Sequence, residues 1–375
     1  MEIGLQKTVV FIFFICIGFL LKVKFTSHDE LIGLKKIILN LALPATIFIA
    51  LLGIQVQLNL LLLPLLALAL NLLLFLVIPF LLPLLGIAKN TPEFRTARLL
   101  VPSLAPGLSC FPFVVEFLGS SYLAKAAMAD LGNKVFVLIV LYLIAMQWHY
   151  TRHQVSSSGQ KSKIIALLKT LVTEPVNLFI GLALVLLLLG INMEALPFFI
   201  NEALTKLSLM MTPLVLLFIG LAVKIKRKQF YQIFSLLCIR AGVVFLVIGV
   251  FVVTTGLQLS EEILLLLAFG LSACSFWPYA HISLVDSLEM EKKSKTFDNG
   301  YAINILALSF PLSTLLILGV LNSGTLFSSS INIFFAGLVL VGIGTLQSLF
   351  RFFSKKSMAI RFSKTGLDSA STERI

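Results

Sequence analysis

The chain has 375 residues, of which 59% are hydrophobic and 12% charged, against roughly 45–50% and about 25% in a soluble domain; this excludes an ordinary water-soluble protein. Its 29 Lys and Arg against 17 Asp and Glu give a formal charge of +12, but the basic residues fall in short gaps between long apolar runs. They therefore point to membrane topology and against nucleic-acid binding.

In chain order, the apolar runs predict eleven transmembrane helices, over 4–21, 32–53, 58–85, 98–119, 123–148, 171–189, 203–222, 230–256, 261–285, 296–320 and 331–350. Each is close to the roughly 20 residues that span a hydrocarbon core. The first has the flavour of a signal peptide, with Lys7 ahead of it, yet it ends in LLKVKFTSHDE without a small-residue cleavage pattern and reads as a retained span. All but five of the 29 basic residues lie in alternate gaps and in the tail, from Lys22, Lys24, Lys35 and Lys36 to Lys224–Lys228 and Arg351–Arg374. The opposite gaps IQVQ, GSS, GINMEA, TTGLQLSEE and LNSGTLFSSS have none. The positive-inside rule then predicts a multi-pass protein of the cytoplasmic (plasma) membrane, N-terminus outside and C-terminus cytoplasmic. The five exceptions are Lys7, Lys125, Lys134, Lys206 and Arg240. The four cysteines, Cys16, Cys110, Cys238 and Cys274, show no C-x-x-C spacing, so neither a disulfide framework nor a thiolate metal site is expected.

Landmarks recur 163 to 169 positions apart. LKKIILNLALPATIFIALLG aligns with LTKLSLMMTPLVLLFIGLAV, Pro44 on Pro213. Ala105-Pro-Gly-Leu-Ser109 aligns with Ala268-Phe-Gly-Leu-Ser272, and Phe111-Pro112 with Trp277-Pro278. Asp130-Leu-Gly-Asn133 aligns with Asp298-Asn-Gly-Tyr301. An odd number of spans per copy makes the second enter the membrane from the other side. The expectation is an all-α polytopic membrane protein with an inverted 5+5 helix repeat, crossover helices in spans 4 and 9, and an additional C-terminal span. Its parts are a first repeat over 1–148, a basic cytoplasmic linker over 149–170, a second repeat over 171–320, an extra helix over 321–350 and a basic tail over 351–375.

Candidate site residues follow from this arrangement. Pro102, Pro106, Gly107 and Pro112 should interrupt span 4, and Gly270 and Pro278 span 9. Freed backbone groups must then line a polar cavity or packed protein. The hydroxyls of Ser109, Ser272 and Ser275 would gather there, and the positive ends of half-helices suit an anion. Arg240 lies near mid-bilayer, where facing lipid costs at least about 2.5–3.5 kcal/mol; it binds an anion or holds a structural carbonyl or acid. Asn71 is its counterpart in the first copy. Asn40, before Pro44, satisfies a kinked backbone or lines the path. Asp130 and Lys134, spaced i,i+4 beside Asn133, form a neutralised strut or a carboxylate that exchanges its partner for Na⁺ or H⁺. Asp298 is a coupling candidate or a first-turn cap. Glu116 and His281 could titrate if buried, and His149 and His153 lack a third metal ligand, so no metal site is expected. LFIGLAV and AGLVLVGIG carry small residues suited to helix packing or to a homodimer. No P-loop, dinucleotide fingerprint or nucleophile motif occurs.

Several runs also resemble the auxin efflux carrier family of membrane permeases. They are GFLLKVKFTSHDELIGLKKIILNLALPATIF, IPFLLPLLG, GLSCFP with EFLGSSYLAKAAMADLGNKVF, EPVNLFIGLALVLLLLGI, MTPLVLLFIGLAV and SFPLSTLLI. The likeness covers about residues 4–320. It implies a ten-helix, two-copy fold related to that of bile acid:sodium symporters, with a scaffold from spans 1, 2, 6 and 7 and a transport part from the rest. Pro112, Gly107 and Pro278 match family positions, whereas Ala105 and Cys110 stand where the family often has asparagine and glycine. The expected function is a secondary active transporter for a small organic anion, a carboxylate or auxin-like acid, by alternating access. It would use the lipid bilayer, no cofactor, and H⁺ or Na⁺ as coupling ion. A sodium-coupled symporter of bile-acid type and a non-transporting sensor or partner subunit are the alternatives; an enzyme is not expected.

Overall fold

The computed structural model describes residues 3–25, 27–53, 60, 62–153, 160–222, 229–290, 292 and 294–346, and every regular element among them is a helix. Among the described residues, six helices are long and apolar enough to cross a membrane: Asp29–Leu52, Leu62–Leu85, Ser120–His153, Phe198–Leu221, Phe230–Thr255 and Asn299–Leu321. Shorter apolar helices, Gln6–Leu21, Pro175–Leu188 and Ser330–Leu346, occupy the predicted first, sixth and eleventh spans. The predicted spans 98–119 and 261–285 are both interrupted. The basic run Lys224–Lys228, the tail over 351–375 and the IQVQ gap lie outside the described residues.

In chain order the helices are α1 (Ile3–Leu21), α2 (His28–Ile37), α3 (Leu43–Leu52), α4 (Leu62–Leu81), α5 (Pro92–Leu100), α6 (Pro106–Ser109), α7 (Phe111–Phe117), α8 (Ser120–Val135) and α9 (Leu141–His153). There follow α10 (Gln160–Thr173), α11 (Pro175–Leu188), α12 (Phe198–Leu209), α13 (Met211–Ala222), α14 (Phe230–Thr255), α15 (Ser260–Gly270), α16 (Phe276–Leu288), α17 (Asn299–Leu321) and α18 (Ser330–Leu346).

Local chemistry sets several boundaries. Ser27 Oγ accepts the Asp29 amide at 3.1 Å, and the Glu30 carboxylate accepts the Ser27 amide at 3.0 Å, which starts α2. Pro44 has no N–H for the carbonyl four residues back, and the chain answers with a π turn over Ile38–Ala42 that joins α2 to α3. A second π turn, Phe136–Val140, joins α8 to α9. Pro112 and Pro278 do not break their helices: each lies in the first turn of the helix that follows an interruption, where a missing N–H leaves nothing unpaired. Both predicted interruptions are present, at 101–105, which contains Pro102 and ends before Pro106, and at 271–275, directly after Gly270, so Pro112 and Pro278 follow the breaks and do not make them.

Two groups of helices emerge from the packing. One joins α1 to α13, α3 to α11 and α12, and α2 to α13. The other joins α4 to α8 and α14, α14 and α15 to α17, α5 to α17, and α9 to α16. The first group's seam is tight: a Cβ on Gly18 would stand 2.3 Å from Leu217 O, and one on Gly220 2.1 Å from Ile15 O. Gly220 of LFIGLAV and Gly337 and Gly344 of AGLVLVGIG are thus engaged inside the chain, the last two against α14. The groups meet mainly where α3 and α11 touch α8 and where α7 touches α13.

Candidate functional site

The chain leaves helix after Leu100 and regains it at α6, and leaves it again after Gly270 to regain it at α16. These two unwound stretches, 101–105 and 271–275, bond to each other. The Ala105 amide donates to Ala273 O at 2.8 Å, the Ala273 amide to Ser109 Oγ at 2.9 Å, and the Ser275 amide to Ser103 Oγ at 2.9 Å. α17 and α14 supply further partners. Ser313 Oγ donates to Leu271 O at 2.6 Å, the Cys274 amide donates to Ser309 Oγ at 3.3 Å, and Arg240 Nη2 donates to Ser272 O at 2.7 Å. Backbone freed from a helix in apolar surroundings needs such partners, and here they come from protein.

Arg240, 3% exposed, also directs Nη2 to Ser103 O at 3.3 Å. One guanidinium therefore clasps a carbonyl from each unwound stretch. Asn71, its expected counterpart, is buried on α4 and donates instead to Asn133 Oδ1 at 3.1 Å. Asn133 in turn donates to Leu104 O at 3.0 Å and Asp130 Oδ1 at 2.8 Å, which ties α4 and α8 to the first unwound stretch.

Beside the junction lies a cavity of about 270 Å³. Lys35, Leu39 and Leu43 line it from one helix group with Glu174 and Val176; 104–108, Asp130, Asn133, Lys134 and Ser275–Trp277 line it from the other. Lys134 Nζ lies 3.2 Å from Glu174 Oε2, 2.9 Å from Asn177 Oδ1 and 3.6 Å from Asp130 Oδ2. Lys35 Nζ sits 3.6 Å from the centroid of the Phe276 ring, a cation–π contact, and has no carboxylate partner among the described residues. Ser275 Oγ caps α16 by accepting the Trp277 amide at 3.3 Å, so the positive end of that helix opens onto the cavity.

Of the residues singled out in the sequence, Ala105, Pro106, Gly107, Asp130, Asn133, Lys134 and Ser275 line this cavity. Ser109, Ser272, Arg240 and Asn71 form the buried framework behind it. Pro112 and Pro278 shape the helices after the breaks. Asn40 is exposed on the π turn, away from the cavity. Asp298 is distant from it too: its side chain caps α17 by accepting the Tyr301 amide at 2.8 Å, and its own amide donates to Thr96 Oγ1 at 2.9 Å. His281 Nε2 lies 2.9 Å from Val137 O in the second π turn, Glu116 is exposed, and its carbonyl receives Lys7 Nζ. His149 and His153 do have a third neighbour, Glu289.

Sequence reasoning missed Lys35, Glu174 and Ser103. Lys35 was absorbed into the inside-facing positive charge, and Glu174 into the boundary of span 6. The available signal for Glu174 was the Glu-Pro start of EPVNLF, an acid at the mouth of an apolar helix. No family model and no curated protein matches this chain. Fold and site together define a multi-pass membrane protein, helical throughout its described residues, with a cavity that holds Lys35, Asp130, Lys134 and Glu174 beside two broken, mutually bonded helices.

Proposed function

We propose that the chain is a secondary active transporter for a small organic anion, a carboxylate or auxin-like acid, working by alternating access. The observation that carries this reading is Lys35: an ammonium without a carboxylate partner among the described residues, packed on Phe276 at the capped N-terminus of α16 in a cavity lined from both helix groups. An anion entering there gains a cation and a helix dipole together.

The finer architecture belongs to the same proposal: two inverted five-helix repeats with crossover helices, and an eleventh span. Support comes from the bonds between the two unwound stretches, which set the end of the segment aligned as 105–109 beside the end of the segment aligned as 268–272, the arrangement expected where a two-fold axis passes between copies. The resemblance to auxin efflux carriers supports a scaffold of α1, α2–α3, α11 and α12–α13, matching the first packed group. Transport then requires the second group to shift against it, and the Lys134–Glu174 and Lys134–Asn177 contacts to be remade as it does. Asp130, left with Lys134 and Asn133, is the candidate coupling group for H⁺ or Na⁺. The plasma membrane as location, with an outside N-terminus and a cytoplasmic C-terminus, completes the reading.

Uptake by proteoliposomes of a labelled panel, including a dicarboxylate and an indole-type acid, tests it under imposed proton or sodium gradients. Uptake of at least one anion is expected, abolished by Lys35→Ala and partly kept by Lys35→Arg, with thermal melts showing both variants folded. Folded wild-type protein that moves no anion in the panel overturns the proposal in favour of a sensor or partner subunit.

A further inference from the structure

His149 and His153 stand one turn apart on α9, and both rings reach one oxygen of Glu289: His149 Nδ1 is 2.7 Å and His153 Nε2 2.9 Å from Oε1. The donor atoms of all three residues lie within 4.8 Å of one another. Glu289 is fully buried, in the turn after α16. Thr296 fixes its orientation, the amide donating to Oε2 at 2.8 Å and the hydroxyl to Oε1.

Two imidazoles at i,i+4 and a carboxylate from a separate segment form the His₂Glu donor set of zinc sites, which leaves a fourth position for water. An outer hydrogen bond to the ligating carboxylate, here from Thr296, is the usual accompaniment. Bonds of about 2.0–2.2 Å in a tetrahedron separate donors by roughly 3.3 Å, a few tenths of an ångström more than the present spacing. A cation would take the place of the hydrogens that the two rings share with Oε1, each ring then carrying its proton on the other nitrogen. The Arg95 guanidinium, held by Thr296 O at 2.7 Å and Asn90 O at 2.9 Å, places positive charge on one flank.

We propose that His149, His153 and Glu289 bind a divalent transition-metal ion of the Zn²⁺ type, fastening the end of α9 to the turn between α16 and α17. This inference is independent of the transport reading, because it uses none of the cavity residues.

The full-length protein, stripped with chelator, is titrated with Zn²⁺ alone, and bound metal is counted after gel filtration; Co²⁺ absorption reports the coordination geometry. One Zn²⁺ per chain is expected, with a melting temperature that rises with free Zn²⁺. Binding should weaken at least about 10-fold in His149→Ala, His153→Ala and Glu289→Gln, and by about 10- to 100-fold in Thr296→Val. Cys16→Ser, which removes the exposed thiol, should leave it unchanged. Should Glu289→Gln fail to fold, the histidine and Thr296 variants decide. Folded wild-type protein that binds no Zn²⁺, or histidine and Thr296 variants that bind it as the wild type does, would overturn the proposal.

Discussion

Lys134 Nζ and Glu174 Oε2 stand 3.2 Å apart across the boundary between the two helix groups, Lys134 belonging to α8 and Glu174 to the turn before α11. Lys134 also neutralises Asp130, so one ammonium serves two carboxylates. The two partners are therefore unequal when removed.

Lys134→Met should be the most damaging single change at the cavity, because it strands Asp130 and Glu174 together. Removing one partner of a buried pair costs about 3–5 kcal/mol, and a fall in melting temperature in detergent is the readout. Glu174→Gln leaves Asp130 on Lys134 and should cost clearly less. Equal losses in the two variants would show that the shared arrangement is incorrect.

Arg240→Met removes the donor for Ser272 O and Ser103 O. Each buried acceptor left unpaired costs about 1–3 kcal/mol, so a marked fall in thermal stability is expected, with Arg240→Lys intermediate. Transport by any surviving Arg240→Lys protein should keep its apparent substrate affinity, since the guanidinium faces carbonyls and not the cavity. A large rise in KM without loss of stability would instead make Arg240 an anion ligand.

Ser109→Ala should destabilise through a different group. It orphans the Ala273 amide, which is buried at the junction, at a similar cost of about 1–3 kcal/mol. Ser103→Ala does the same to the Ser275 amide. Because both bonds serve one junction, the double variant should fall short of the sum of the single effects.

Gly132 on α8 faces α4 so closely that an added Cβ would stand 1.8 Å from Pro64 O, a backbone atom that cannot swing aside. Gly132→Ala should force the two helices apart and lower the melting temperature by the equivalent of about 1–3 kcal/mol. Gly181→Ala on α11 meets nothing within 4 Å and should be neutral or stabilising by up to about 1 kcal/mol. Comparable expression and melting of the two proteins would contradict the packing of α4 on α8.

Much of the helical outline was legible because hydropathy and helix length are set by the bilayer, which acts on every span alike. The paired landmarks around Ser109 and Ser272 were legible too, and those residues do meet at one junction. What the pattern misjudged was the role of particular atoms. Pro102 lies in one unwound stretch and Gly270 ends its helix at the other, whereas the missing N–H of Pro112 and Pro278 is harmless in a first turn and those two residues follow the breaks. Arg240 was marked by depth alone, and depth says that a charge needs a partner without saying which. Lys35 and Glu174 lie near span ends, where charge is ordinary, and only the tertiary approach of α2, α11 and α16 turns them into cavity walls. Glu289 reached His149 and His153 by the same route, through a contact spanning 140 positions.

The seam between α18 and α14 has a practical consequence. A methyl on Gly242 would meet Gly337 O at 2.7 Å, and one on Gly344 would meet Ser235 O at 2.7 Å, so the last helix is clamped along α14 with no room for sideways play. A fluorescent reporter placed on α18 itself rides with the body that carries the broken helices. A dye there, paired with a second dye near α1, would read the distance between the two bodies directly.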